Sequence, residues 1–392
     1  MIIKNGQTGI DFTFRCSDCG REFPLSPDKM LCDSCSEDNT AGEPLKGILE
    51  VQLNVKEGII DKTFNPLDLL PLEAGARPLI PVGNTPLWKA RRLNGLFGTS
   101  GLALKNDAAN PTGSLKDRAS YLVAGTALNS GIREIALAST GNAGSSMAGI
   151  GAASGIKVHL FLPAKAPEAK RIQAKMYGAE LHTVNGSYDD AYDASLAFSQ
   201  ERKCLSRNTA YNPFTIEGKK TAALEIFLQY GIPDYVFVPT GDGVILSGVY
   251  KGFEDIKALG LSDSMPCIVA VQAEGSNAIH RCLEKGAFGP PVPSDTCADS
   301  IAVDIPRGGT LAVRKLKKHG GTSVCVSDVA ILDAQKLLAA YEGVFAEPAA
   351  AASLAGFIAM KSELPADAKT VLLITGSGLK DIESAKKALE RP

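Results

Sequence analysis

Short apolar runs alternate with segments of helical periodicity over most of the chain. The first series predicts strands over 102–105, 134–139, 157–162 and 180–184, separated by helices over 114–129, 142–154, 167–178 and 188–202. A second series predicts helices over 216–230, 245–258, 329–341, 348–361 and 379–390, with strands over 235–239, 267–272 and 370–375. Strands and helices that alternate in this way form parallel sheets covered on both faces. We therefore expect an α/β protein with two doubly wound parallel-sheet domains and a cleft between them.

Four cysteines near the N-terminus form two CxxC pairs, Cys16 with Cys19 and Cys32 with Cys35. The spacing is typical of a zinc ribbon, in which four thiolates bind one structural zinc ion, although a redox pair or two unrelated turns is the alternative. Four protein ligands would leave no coordination position for catalysis. The expected division is a zinc-ribbon-like element over 1–45, a large domain over 46–100 and 205–392, and a small α/β domain over 101–204.

The composition is that of an ordinary globular protein, with 392 residues, 45% of them hydrophobic, and a net charge of −2. This balance gives no reason to expect nucleic acid or an anionic membrane as a partner. The segment Met1–Gln7 lacks the apolar core of a signal peptide, so we expect a cytoplasmic protein. Five cysteines are scattered singly and are expected to be reduced and structural: Cys204, Cys267, Cys282, Cys297 and Cys325.

Lys116 is the first candidate for chemistry. It follows the Pro/Gly turn of Asn110–Arg118 and is expected in the first turn of the helix over 114–129. The positive end of a helix dipole disfavours a cation by about 0.3–1 kcal/mol, which makes a neutral, nucleophilic amine easier to reach. Taken alone, a solvated lysine behind a serine N-cap is the competing interpretation.

Three later segments have the character of ligand-binding loops: Ser139-Thr140-Gly141-Asn142-Ala143-Gly144, Gly241-Asp242-Gly243 and Thr375-Gly376-Ser377-Gly378-Leu379-Lys380-Asp381. Together with 105–107 and 110–118, and in this order, they resemble the threonine synthases, which are pyridoxal-phosphate enzymes of the tryptophan-synthase-β type, or fold type II. The resemblance spans about residues 80–385. Four ordered motifs are far more specific than any single glycine motif.

The resemblance and the loop chemistry together assign roles to these residues. Lys116 supplies the amine that binds the aldehyde of pyridoxal 5′-phosphate. The turn of Gly241, Asp242, Gly243 and Val244 offers N–H groups and a helix dipole to the cofactor phosphate. The resemblance gives Thr375 to the ring nitrogen, Asn142 to the ring hydroxyl, and Ser139, Thr140, Gly141 and Asn142 to the substrate carboxylate. Helix capping and tight turns are the structural alternatives.

One segment departs from the family pattern. Threonine synthases resemble one another in an Asn-Ser-x-Asn-Pro-x-Arg segment whose arginine grips the phosphate of O-phosphohomoserine, and this chain has Thr215 in the arginine position. A threonine cannot replace a permanently charged bidentate fork. The open alternatives are that a nearby cation takes over, or that the leaving group is not phosphate. The cations considered are Lys219, Lys220, Arg118 and Arg307.

The sequence therefore predicts a lyase of amino-acid metabolism that acts on a small amino acid. The resemblance implies conversion of O-phosphohomoserine to threonine by elimination and water addition, and it implies a homodimer. Elimination or replacement at the β carbon of a serine or threonine derivative is the alternative within the same cofactor class. The alternative from another class is a non-catalytic, zinc-ribbon-bearing binding protein on the same fold.

Overall fold

Three β-sheets organise the part of the chain described by the computed structural model, namely residues 10–40, 42–55, 63–164 and 168–390. The segment Met1–Gln7, on which the expected absence of a signal peptide rests, lies outside these residues. The strands are β1 Ile10–Cys16, β2 Glu22–Pro24, β3 Leu49–Val55, β4 Leu87–Lys89, β5 Leu102–Asn106, β6 Glu134–Ala138, β7 Lys157–Pro163, β8 Glu180–Val184, β9 Leu205–Ser206, β10 Tyr235–Pro239, β11 Cys267–Ala273, β12 Thr322–Val326 and β13 Thr370–Ile374.

The α-helices connect and cover these strands. They are α1 Asp33–Ser36, α2 Arg91–Phe97, α3 Lys116–Asn129, α4 Asn142–Ala153, α5 Glu168–Met176, α6 Tyr188–Arg202, α7 Phe214–Lys219, α8 Thr221–Tyr230, α9 Val244–Ala258, α10 Ala278–Lys285, α11 Gly309–His319, α12 Asp328–Glu342, α13 Pro348–Met360 and α14 Ile382–Leu389. Among the described residues, no helix is long and apolar enough to span a membrane.

The largest sheet has six strands in the order β12-β11-β10-β13-β5-β4, parallel except for β4. Its central strands are buried on both faces, as their almost uninterrupted apolar sequences require. In β10, Val236 and Val238 pack into one hydrophobic core and Phe237 into the other. Since successive side chains of a strand point to opposite faces, these two cores lie on the two sides of the sheet.

The second sheet has four parallel strands in the order β8-β7-β6-β9. The sheet contains residues 134–206 only, because β5 pairs with β13 and β4 in the larger sheet. Residues 102–106, which the sequence analysis assigned to the small domain, therefore lie in the six-stranded sheet. Both sheets confirm the α/β, doubly wound expectation.

The N-terminal element is a three-stranded antiparallel sheet in the order β2-β1-β3. It extends beyond the expected limit at residue 45, because β3 pairs with β1 along its whole length. The ring of Phe14 packs on Phe214, with centroids 5.4 Å apart, and Arg314 forms an ion pair with Asp18 at 2.6 Å. These contacts fix the element against the main body.

The helix expected over 216–230 is instead two helices, α7 and α8, which meet at Lys220. Gly218 lies so close to α3 that a Cβ there would approach the carbonyl oxygen of Arg118 to 2.3 Å. The close packing of α3 on α7 therefore sets the direction of this segment, which the helical periodicity alone does not reveal. Similarly, the expected helix over 379–390 begins as α14 only at Ile382, where Asp381 accepts the Ser384 N–H.

Candidate active site

Lys116 lies where the two larger sheets face each other. It is the first residue of α3, and its charged neighbours come from both sides: Asp242 and Glu347 from the connections of the six-stranded sheet, and Arg207 from the end of β9. Burial lowers the pKa of Lys116, and the charge of Arg207 acts in the same direction, whereas Asp242 and Glu347 act against it. Among the described residues, no hydrogen bond or ion pair occupies the Lys116 amine. The amine is thus biased towards the neutral form that a nucleophile or base requires.

The loop before Lys116 is fixed to the end of β13. The Leu115 N–H donates to the carbonyl oxygen of Thr375 at 2.9 Å, and Ser114 forms a β-bridge with Gly376. Thr375 itself is buried. Backbone contacts therefore bring the residues next to Lys116 beside Thr375, as the order of motifs predicts.

Asn142 begins α4 and reaches across the cleft. Its Nδ2 donates to both carboxylate oxygens of Glu347 at 2.9 Å and to Ser300 Oγ at 3.1 Å. The sequence analysis missed Glu347 and Ser300. The position of Glu347 directly before Pro348, the first residue of α13, was a usable signal for a helix start.

The segment Ser139–Gly141 joins β6 to α4. The Ser139 hydroxyl accepts the N–H groups of Gly141 at 3.2 Å and Gly144 at 2.9 Å, so this side chain caps α4. Thr140 and Gly141 are partly exposed towards the cleft. A Cβ on Gly141 would meet only the Asp299 carboxylate, at 3.9 Å.

The turn Gly241–Gly243 lies between β10 and α9. Gly243 has φ = +85°, a conformation that favours glycine. Asp242 caps the helix, since its Oδ1 accepts the Val244 N–H at 3.0 Å. Burial would raise the pKa of Asp242, but the charges of Lys116 and Lys219 outweigh it, so the pKa is lowered. The Asp242 carboxylate thus occupies one N–H group at the N-terminus of α9, where the helix dipole favours negative charge.

Two of the cations proposed to replace the missing arginine are engaged elsewhere. Arg118 is buried between Asp107 and Glu225, with contacts of 2.6–2.8 Å to both carboxylates. Lys220 is buried between Glu217 and Asp255. Neither side chain is available for a ligand in the cleft.

The other two cations considered, Arg307 and Lys219, differ in whether a carboxylate compensates their charge. Arg307 forms an ion pair with Asp189 and lies over the ring of Tyr192, 5.3 Å from its centroid. Lys219 is fully buried, and burial, reinforced by Lys116 and Arg207, lowers its pKa well below the ordinary value. Thr215 is also fully buried, and its hydroxyl donates to the Asn212 carbonyl oxygen.

Arg207 is a further buried cation that the sequence analysis did not identify. Its side chain follows the two-residue strand β9 and is 1% exposed. Burial lowers its pKa to about 10, with Asp242 and Tyr188 opposing the shift. No sequence signal distinguishes this arginine from a surface one, because its burial depends on the packing of two domains.

The four cysteines of the N-terminal element converge. The sulfur atoms of Cys16, Cys19, Cys32 and Cys35 all lie within 4.8 Å of one another, and those of Cys19 and Cys32 are 3.8 Å apart. Two thiolates on a tetrahedral zinc ion with a Zn–S distance of about 2.3 Å are separated by about 3.8 Å. The cluster lies in the N-terminal element, apart from Lys116.

Comparisons with known proteins agree with this geometry. Residues 79–376 match the family described as "Pyridoxal-phosphate dependent enzyme". The threonine synthase of Methanosarcina acetivorans is 35% identical, covering 97% of this chain and 95% of its own, and that of Methanocaldococcus jannaschii is 34% identical, covering 96% and 95%. The solved threonine deaminase of T.th. superposes with a TM-score of 0.66 at 26% identity, over 75% of this chain and 92% of its own.

The chain therefore belongs to the pyridoxal-phosphate-dependent enzymes. Within this family it has fold type II and is a threonine synthase-like lyase. The alternative of a non-catalytic binding protein is set aside, because the chain matches enzymes over nearly its whole length.

Proposed function

We propose that this chain converts O-phosphohomoserine and water to threonine and inorganic phosphate. One observation carries the proposal: a lysine of lowered pKa stands in the cleft between two doubly wound sheets, in a chain 35% identical to a threonine synthase over 97% of its length.

The side chains around Lys116 fit pyridoxal phosphate. The fit rests on an amine without a partner among the described residues and on a glycine turn at the N-terminus of α9, whose N–H groups and dipole suit a phosphate dianion. Lys116 would hold the cofactor aldehyde, the 241–244 turn its phosphate, Thr375 the ring nitrogen and Asn142 the ring hydroxyl. The bound cofactor would supply an electron sink for negative charge on substrate carbon.

The chain's own groups would move the proton and orient the substrate. The neutral Lys116 amine would accept the Cα proton, because a base works best with a pKa near the working pH. N–H groups of the Ser139–Asn142 segment would bind the substrate carboxylate. Glu347 holds the Asn142 amide by two hydrogen bonds of 2.9 Å and so would position it.

A second candidate function is elimination or replacement at the β carbon of a serine or threonine derivative. The buried Thr215, whose hydroxyl is bonded within its own segment, favours it, because the usual substrate-phosphate arginine is absent. A shorter substrate would carry its leaving group closer to Cα than O-phosphohomoserine does. Both candidates use the same base and the same cofactor.

The test is an assay of the purified holoenzyme with O-phosphohomoserine, O-phosphoserine, serine and threonine. Phosphate, threonine and 2-oxoacid are measured for each, with Lys116→Ala as the inactive control. Release of phosphate with formation of threonine from O-phosphohomoserine is the expected result. Phosphate release from O-phosphoserine alone would replace the first function by the second.

Three further proposals accompany this function. The convergence of four thiols supports a structural zinc ion bound by Cys16, Cys19, Cys32 and Cys35. The likeness to threonine synthases supports a homodimer and a cytoplasmic location.

A further inference from the structure

We propose that Lys219 and Arg207 together bind the phosphate group of the amino-acid substrate, in place of the arginine that is absent from position 215. The inference rests on the proposed function, since it assigns the anion site of that same cleft. Lys219 is one of the four cations considered from the sequence, Arg207 was not considered there, and the comparisons give neither residue a role.

The side-chain nitrogen of Lys219 has unused hydrogen-bonding capacity. Its side chain is fully buried at the end of α7, and its Nζ donates to the Thr215 carbonyl oxygen at 2.9 Å. When a bound phosphate keeps this nitrogen protonated, it has three N–H donors, and the contact to Thr215 uses one. No carboxylate lies within ion-pair distance of Lys219 among the residues that the structure describes, in contrast to its neighbour Lys220.

Arg207 also has side-chain hydrogen-bond donors that lack partners. Its Nη2 is buried and has no hydrogen-bond partner, and its Nε has only a long contact of 3.4 Å to Ser120 Oγ. A buried, unpaired polar nitrogen on a charged group is costly, and such groups in native proteins commonly mark a ligand site. A guanidinium with free donors is also the side chain best suited to a phosphate.

Lys219 and Arg207 belong to one buried cluster with Lys116. Arg207 and Lys116 each lower the pKa of Lys219, and Asp242 and Tyr188 act on Arg207. The Tyr188 hydroxyl donates to the Ala138 carbonyl oxygen, directly before the Ser139–Asn142 segment. The cluster thus lies beside the groups proposed to hold the substrate, on the side of α7.

The unused donors of this cluster call for an additional anion. Asp242 acts on Lys116, Lys219 and Arg207, but its carboxylate is engaged at the N-terminus of α9. Asp117 also acts on Arg207, but no hydrogen bond joins these two side chains among the described residues. A phosphate on the substrate would bind the free donors of Arg207 and, through its negative charge, favour protonation of Lys219. The competing interpretation is that Lys219 serves only as the counter-charge of Asp242.

The test measures binding of inorganic phosphate to the holoenzyme by calorimetry, with cofactor content measured in the same samples. The variants are Lys219→Met and Arg207→Gln, with the exposed Lys318→Met and Arg202→Gln as matched controls. We expect each cleft variant to weaken phosphate binding at least about tenfold and to raise KM for the phosphorylated substrate, at full cofactor content. The control variants should bind phosphate as the unaltered protein does.

Thr215→Arg in the Lys219→Met background should restore part of the phosphate affinity, which a purely structural role for Lys219 would not predict. If Lys219→Met fails to fold, the proposal is tested with Lys219→Arg and Arg207→Gln. We expect Lys219→Arg to retain phosphate affinity and Arg207→Gln to lose it. Unchanged phosphate affinity in folded Arg207→Gln and Lys219→Met would overturn the proposal. A parallel loss of cofactor would also overturn it. Recovery of phosphate affinity in Lys219→Met on adding Asp242→Asn would do the same, because it would show that Lys219 acts as the partner of Asp242.

Failure of the proposed function has a different signature. In that case the unaltered holoenzyme binds inorganic phosphate and the variants lose it, while O-phosphohomoserine yields no threonine. Conversely, threonine formation without any measurable phosphate binding would preserve the function and remove the anion site.

Discussion

Replacement of Arg118 by methionine is expected to destabilise the fold without acting on the substrate. Arg118 is fully enclosed, and its guanidinium contacts two carboxylates and two hydroxyls: Asp107, Glu225, Thr85 and Thr221. Lys105 contacts the same Glu225 at 2.6 Å, so two cations balance two carboxylates. Removing Arg118 leaves one buried carboxylate charge without compensation.

The magnitude follows from the network. Breaking a buried ion pair from one side costs about 3–5 kcal/mol of unfolding free energy. The pKa of Glu225 indicates the same direction: burial would raise it, but Arg118 and Lys105 lower it from 4.5 to about 2. Because both cations contribute to this lowering, it does not measure Arg118 alone. The expected loss of unfolding free energy is therefore about 3–5 kcal/mol.

The assay is denaturant unfolding followed by the fluorescence of Trp88, the single tryptophan of the chain. Arg202→Met is the matched control, because Arg202 is half exposed and its 3.6 Å ion pair with Glu134 should contribute less than about 1 kcal/mol. Normal stability of Arg118→Met combined with loss of phosphate affinity would refute the argument and return Arg118 to the substrate site.

The same network gives a pH dependence. The folded pKa of Glu225 lies below its unfolded value, so its stabilisation is complete above about pH 4.5 and is lost as the pH falls towards 2. The stability difference between the unaltered protein and Arg118→Met should therefore narrow over this range. A constant difference across this acid range would show that the charge of Glu225 is not its source.

Other predictions concern the cofactor and the metal. Lys116→Ala should fold normally but fail to retain cofactor after borohydride reduction and denaturation, and retention would exclude residue 116 as the attachment point. Asp242→Asn should lower the pKa of Lys116 further, because the Asp242 charge raises it, and so shift the acid limb of cofactor attachment to lower pH; a shift to higher pH would contradict the electrostatics. Cys19→Ser should lose the zinc measured by metal analysis and expose the N-terminal element to protease, while Cys204→Ser should do neither; an unaltered metal content in Cys19→Ser would reject the proposed site.

Most strands and helices were predictable from the sequence because their signals are local. The strand over 235–239 and the helix over 188–202 match β10 and α6 residue for residue, since buried parallel strands are continuous apolar runs and the Ser187 capping box fixes where α6 begins. The elements that escaped prediction, such as β3 and β12, are only partly buried. In β3, Leu49–Val55, apolar and polar residues alternate strictly, so a strand signal was present in the sequence. In β12 four of the five residues are only partly buried, and pairing with β11 decides its structure.

The candidate site was partly predictable for a related reason. Lys116, Asn142 and the turn before α9 lie at strand-to-helix connections, where turn residues and helix starts are visible in the sequence. Glu347 and Arg207 were missed because their significance lies in what they face across the cleft. Proximity between residues distant in sequence leaves no mark on either segment.

The sequence by itself determined the α/β alternation, the ordered loop motifs and the lysine at the start of α3, because each depends on residues near one another along the chain. Only the tertiary structure decided which cations remain for a ligand. Arg118 and Lys220 are matched with carboxylates from other elements, whereas Lys219 and Arg207 are buried without such partners among the described residues. Whether a charge is compensated depends on distances between elements, and folding alone sets those distances.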